Sequence, residues 1–125
     1  MNWFIISSGA IAALTAGIHL SLGGVTIARP LLASSLEDEV KFTMYACWHL
    51  VSVILVLSAF ALLATGVGMM ALNSSPIAFI SLSWLLFGLV FLTVTLGVAK
   101  PRRLFRFPQW ILLIPVGILG IAGIV

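Results

Sequence analysis

Residues 42–72 read FTMYACWHLVSVILVLSAFALLATGVGMMAL, a run without one Asp, Glu, Lys or Arg. A helix needs roughly 20 apolar residues to cross a hydrocarbon core, and this run exceeds that. Three more apolar stretches accompany it, from about Trp3 to Ala28, from Ile77 to Ala99 and from about Phe107 to Val125. Over 125 residues, 62% are hydrophobic and 7% charged, against about a quarter charged in a soluble domain. Mean hydropathy is +1.30. The composition reads as an integral membrane protein with one transmembrane domain, residues 1–125, and no room for a soluble catalytic domain.

Open strands leave unpaired edge groups in lipid, and these long stretches lack the short alternating segments of a barrel. All four are therefore expected as helices, at about 3–28, 35–72, 76–99 and 107–125. The first lacks a basic leader region and reads as a span, not as a cleaved signal. Asn73-Ser74-Ser75-Pro76 reads as a tight turn with Pro76 in the first turn of the third helix, where a missing N–H costs nothing. Ser34 with Glu37, and Ser35 with Asp38, fit a capping box, and Glu37 with Lys41 fits an i,i+4 pair, which leaves Arg29 to Ser34 as the loop.

Charge is confined to two places. Arg29, Glu37, Asp38, Glu39 and Lys41 separate the first two stretches, and Lys100, Arg102, Arg103 and Arg106 separate the last two. With four spans these loops share one side, and the positive-inside rule makes that side cytoplasmic. The expected fold is an all-α, antiparallel, up-down-up-down four-helix bundle with both termini outside. The net charge of +3 is then a signal of topology and of attraction to anionic headgroups, not a nucleic-acid footprint.

The chemically interesting residues in this apolar setting are His19 and His49. His19 lies ten residues before Arg29, about 15 Å of helix, and His49 eight residues after Lys41, about 12 Å. Both are expected at similar depth in the cytoplasmic half, facing one another across the first two helices. Ser8, Thr15, His19 and Thr26 fall on one helical stripe, and Tyr45, His49 and Ser52 on another, so both stripes are expected to face protein. Gly9, Ala13 and Gly17 form a small-xxx-small face suited to close helix contact.

Three readings of the histidines stay open. They join helices through hydrogen bonds to Thr15, Tyr45, Ser52 or a backbone carbonyl; they form a polar pocket for a proton or small ligand; or they ligate haem b through two imidazoles, with Gly23, Gly24 and Ala46 giving room and Arg29, Arg102, Arg103 or Arg106 meeting the propionates. Zinc is disfavoured, because no carboxylate lies within a span to complete three or four ligands. The single Cys47 excludes an internal disulfide and faces away from His49 on a helix. Trp3 and Trp110 read as interfacial, Trp48 and Trp84 as packed in the bundle, and Pro115 as a kink in the fourth helix.

HLSLGG, ARPLL, YACWH and PQWILLIPVG together resemble a group of small bacterial four-span membrane proteins with an H…GG…RPLL…WH…PQW pattern. The chain is more loosely similar to a small inner-membrane family with GAFGAH in its first helix and YH in its second, where this sequence has AGIHLSLGG and WH. The resemblance implies the bacterial inner membrane and a topology, and no chemistry. Absent catalytic sets point to a non-enzymatic accessory or binding protein, whose partner is another membrane protein or a second copy. The paired histidines favour the alternative of a haem, small-ligand or proton-handling protein.

Overall fold

The computed structural model describes residues 1–97 and 108–125. These residues form four helices and no strand: α1 (Trp3–Leu32), α2 (Asp38–Gly66), α3 (Ser74–Gly97) and α4 (Gln109–Ala122). By length and composition α1, α2 and α3 are long and apolar enough to cross a membrane. The 14 residues of α4 extend about 21 Å, short of a hydrocarbon core of about 30 Å. Its expected start at residue 107 lies outside the described residues. Pro115 leaves α4 one continuous helix.

Several helix ends differ from expectation. The first helix does not stop at Ala28 but continues through Arg29 and Pro30 to Leu32, so the loop begins at Ala33. There the Ser34 hydroxyl donates to Leu31 O at 2.6 Å, committing it to the preceding turn. The capping box is consequently not formed: Glu37 occupies the N-cap without a side-chain hydrogen bond. Lys41 pairs with Asp38 at 3.3 Å instead of with Glu37. At its other end α2 closes at Gly66, short of residue 72, because Gly68 takes a left-handed φ of 88° and Met69 N–H returns to Ala64 O. Asn73 Oδ1 accepts from Ser75 N–H at the start of α3, with Pro76 in the first turn as the sequence suggested.

Helices meet where side chains vanish. A Cβ built on Gly9 would stand 2.8 Å from Leu63 N, and one on Gly66 would stand 2.8 Å from Ile6 N, so α1 and α2 touch backbone to backbone and run antiparallel. Gly88 and Gly117 receive Ile114 and Leu85 between α3 and α4 in the same way. The stripe on α1 is Gly9, Ala12 and Ala16; Ala13 is exposed and Gly17 faces open space. The expected Gly9-Ala13-Gly17 face is thus rotated, because the interface follows Ile5, Ser8 and Ala12.

Hydrogen bonds then lock one end of the bundle. Asn2 N–H donates to Gly66 O at 2.9 Å and Asn2 Nδ2 to Gly123 O at 2.6 Å, holding the start of α1 to the ends of α2 and α4. Ser8 Oγ donates to Val116 O at 2.7 Å. Trp84, 1% exposed, donates its indole N–H to Ser58 Oγ at 3.0 Å and ties α3 to α2. Large apolar side chains such as Leu50, Phe60 and Phe79 are exposed on the outer surface, a contiguous apolar exterior of the kind that marks an interaction surface.

The glycine contacts separate tight from slack positions. Gly66→Ala is expected to lower stability by about 1–3 kcal/mol through backbone displacement. Gly17→Ala, entering open space, should raise it by about 0.5–1 kcal/mol through helix propensity. Thermal unfolding in detergent, followed by helical ellipticity, measures both; equal shifts would contradict the packing described.

Candidate functional site

On α2 the inward face at the level of His19 is set by Trp48 and Ser52, one helical turn apart. Ser52 is buried and its hydroxyl donates to Trp48 O at 3.0 Å. From α1, His19 Nε2 lies 3.0 Å from Ser52 Oγ and 3.4 Å from Trp48 O. A carbonyl only accepts, and the serine proton already points to that carbonyl, so the network assigns the His19 proton to Nε2. Nδ1 then keeps its lone pair in the neutral ring.

Aromatic rings complete the cluster. Trp48 stacks on His19 with centroids 4.6 Å apart and planes 18° apart. His49 stands edge-on to Trp48 at 4.9 Å and to Tyr45 at 4.5 Å. Tyr45 lies parallel to Trp48, centroids 6.4 Å apart.

The expected sites therefore meet only in part. His19 and Ser52 are joined directly, and Tyr45 joins through the rings. His49, one position beyond Trp48 and so about 100° around α2, is exposed on the outside of the helix pair. The two imidazoles share the Trp48 ring instead of facing one another. Thr15 is buried one turn from His19, but its hydroxyl donates within α1 to Ile11 O at 2.8 Å. Thr26 is exposed and bonds to Leu22 O. Of the basic cluster only Arg29 is described; Lys100, Arg102, Arg103 and Arg106 lie outside the described residues.

Beyond His19 the helix changes form. Residues His19–Ala28 adopt a π-helix, with hydrogen bonds closing one residue further on than in an α-helix. The sequence supplies reasons. Ser21 and Thr26 hydroxyls bond to the carbonyls four residues back, Gly17 O at 2.6 Å and Leu22 O at 2.7 Å; Gly23-Gly24 has low helix propensity; and Pro30 brings no N–H to the closing turn. The wider turn breaks the 3.6-residue stripe, which is why Thr26 does not follow His19 inward.

A lateral cleft of ≈ 230 Å³ opens between this segment and α2, with Leu20, Gly24, Val25, Arg29, Tyr45 and Trp48 among its lining residues. Neither histidine lines it. Trp48 Nε1 is buried and unpaired, with Gly23 above it: a Cβ there would stand 3.9 Å from Nε1. An unmade buried donor costs about 1–3 kcal/mol. Reasoning from residue types gives this indole a packing role alone and misses its free N–H. The Ser21, Gly23-Gly24, Thr26 and Pro30 series is the signal in the sequence that points to it.

Bis-histidine haem finds little support in this geometry, since His19 Nε2 is engaged with Ser52 and His49 is exposed on another face of α2. Ala46 and Cys47 are exposed, and among the described residues no three of His, Cys, Asp and Glu gather as a metal site. Compared with known protein families, with curated proteins and with solved structures, the chain matches none.

The hydrogen bond and the shared ring make different demands on a double-mutant cycle. His19→Ala with Ser52→Ala should show a coupling of about 0.6–1.7 kcal/mol, from the average to the largest value typical of hydrogen bonds between membrane helices. His19→Ala with His49→Ala, two residues that meet only through the Trp48 ring, should show a smaller coupling than that pair. Unfolding free energies of the variants decide it, and the reverse order would show the imidazoles to be direct partners.

Proposed function

We propose that this chain is a multi-pass protein of the bacterial inner membrane, an up-down-up-down bundle with both termini periplasmic, that binds a ligand or an associated membrane protein and catalyses nothing. Its working element is the His19, Trp48, Ser52 cluster with Tyr45 and His49 beside it, in the cytoplasmic half of the bilayer. The observation that carries this reading is the His19 Nε2 to Ser52 Oγ contact of 3.0 Å inside helices of this apolarity. Ionisable groups at such depth are costly to hold and mark binding or transport sites by default. The absence of carboxylates from the spans argues against coupled antiport, and the confinement of basic residues to the 29–41 and 100–106 segments supports the orientation.

Two measurements test it. A phosphatase fused after Val125 should be active in the periplasm and a fluorescent protein fused there should stay dark; the opposite pattern reverses the orientation. For the site, His19→Gln keeps a donor for Ser52 while removing the imidazole, and His19→Leu removes both. If His19 serves binding, His19→Gln folds as the parent does yet loses molecules that co-purify from native membranes. If only His19→Leu has an effect, and that effect is on stability, the histidine joins helices and the binding reading fails.

A further inference from the structure

We infer that the lateral cleft between the π-helical segment of α1 and the start of α2 is a binding site for the phosphate headgroup of an acidic phospholipid. The inference rests on the orientation proposed above, which puts the cleft in the cytoplasmic leaflet, and it names a ligand for the neighbourhood of His19. Three features select this chemistry. Two polar side chains that line the cleft have no partner among the described residues and can donate to an anion: the Arg29 guanidinium and the Tyr45 hydroxyl. No carboxylate lines the cleft, so the ammonium of a zwitterionic headgroup would find no counter-charge there, whereas a phosphate with net negative charge would. Asp38, at the start of α2, is already paired with Lys41.

The remaining features select a lipid over a free anion. The opening is on the flank of the helix pair, and its walls continue into exposed Leu20, Val25 and Leu32. At ≈ 230 Å³ the space suits a headgroup, with acyl chains lying outside along the apolar face of α1. The backbone geometry that makes the space is local: a Cβ added to Gly24 would meet nothing within 4 Å, so the cleft is open there. Phosphatidylglycerol satisfies these requirements and phosphatidylcholine does not.

The test is native mass spectrometry of the purified full chain equilibrated with equal phosphatidylglycerol and phosphatidylcholine. The parent should retain the acidic lipid in about fivefold preference, as one surface arginine supplies. Arg29→Gln should bring that ratio close to one while Lys41→Gln leaves it unchanged, which separates the cleft from general attraction to a basic surface. Gly24→Leu, which grows into open space and favours helix, should lower total retained lipid. Equal retention of both lipids by the parent, or an acidic preference indifferent to Arg29→Gln and Gly24→Leu, overturns the site. Displacement of the lipid by inorganic phosphate alone overturns the lipid assignment in favour of a free anion. None of these outcomes depends on His19→Gln, so a failed cleft and a failed histidine reading are distinguishable.

Discussion

Backbone contact at glycine is the constraint on which the bundle depends. In a chain this apolar, hydrophobic burial distinguishes poorly between one helix face and another, because neighbouring lipid would be as good a solvent as a neighbouring helix. Discrimination falls to shape and to hydrogen bonds. Gly9 against Leu63 and Gly66 against Ile6 bring two backbones within reach. That approach in turn puts Asn2 where it can hold Gly66 O and Gly123 O, and Ser8 where it can reach Val116 O. Asn2 and Ser8 are each answered by a carbonyl of another helix, so the register of three helices is fixed together.

The opposite half of α1 follows a different rule. Trp3–Ile18 buries six residues, whereas the ten residues of the π-helical segment bury only Gly23 and Ala28. Two hydroxyls drawing on carbonyls, two consecutive glycines and a proline without an N–H weaken the α-helical ladder at successive positions, and the ladder re-forms with a wider turn. Tight packing would forbid this, since a wider helix cannot keep a glycine-level contact. The π segment exists because the glycine contacts stop before it. Their cessation also leaves the cleft, whose lining begins at Leu20.

Much of this was legible in the sequence because it depends on composition and on local chemistry. The apolar runs gave helices long enough to cross a membrane, Pro76 marked the first turn of α3 although the connection itself lies before it at residues 67–73 and not at Asn73 to Pro76, and counting from Arg29 and Lys41 placed His19 opposite the segment of α2 that does meet it. What failed depended on rotation about a helix axis. In the pair Trp48-His49 either residue can face α1, and the choice belongs to a face running through Ser52, Leu55, Ala59 and Leu62 that is uniformly small or aliphatic, like its exposed neighbours. With polarity so uninformative, the histidine looked like the inward residue because it was the polar one. The Ser34 to Glu37 capping box failed for a related reason: the hydroxyl had a nearer acceptor in Leu31 O, a competition that residue types alone do not rank.

Trp48 joins these two regimes. One face of its ring stacks on His19, whose Nε2 closes the last hydrogen bond between α1 and α2 before the helix widens, while the ring also lines the cleft beyond. A phenylalanine could fill the stack without leaving a buried donor unmade, so packing alone does not account for an indole at this position. Trp84 shows the contrast within the same chain: its N–H, also buried, is met by Ser58 Oγ, and it holds helices together with nothing left over. The difference between the two tryptophans lies in the partner each is given: Ser58 Oγ for Trp84, and none among the described residues for the Trp48 N–H, which lies beneath Gly23.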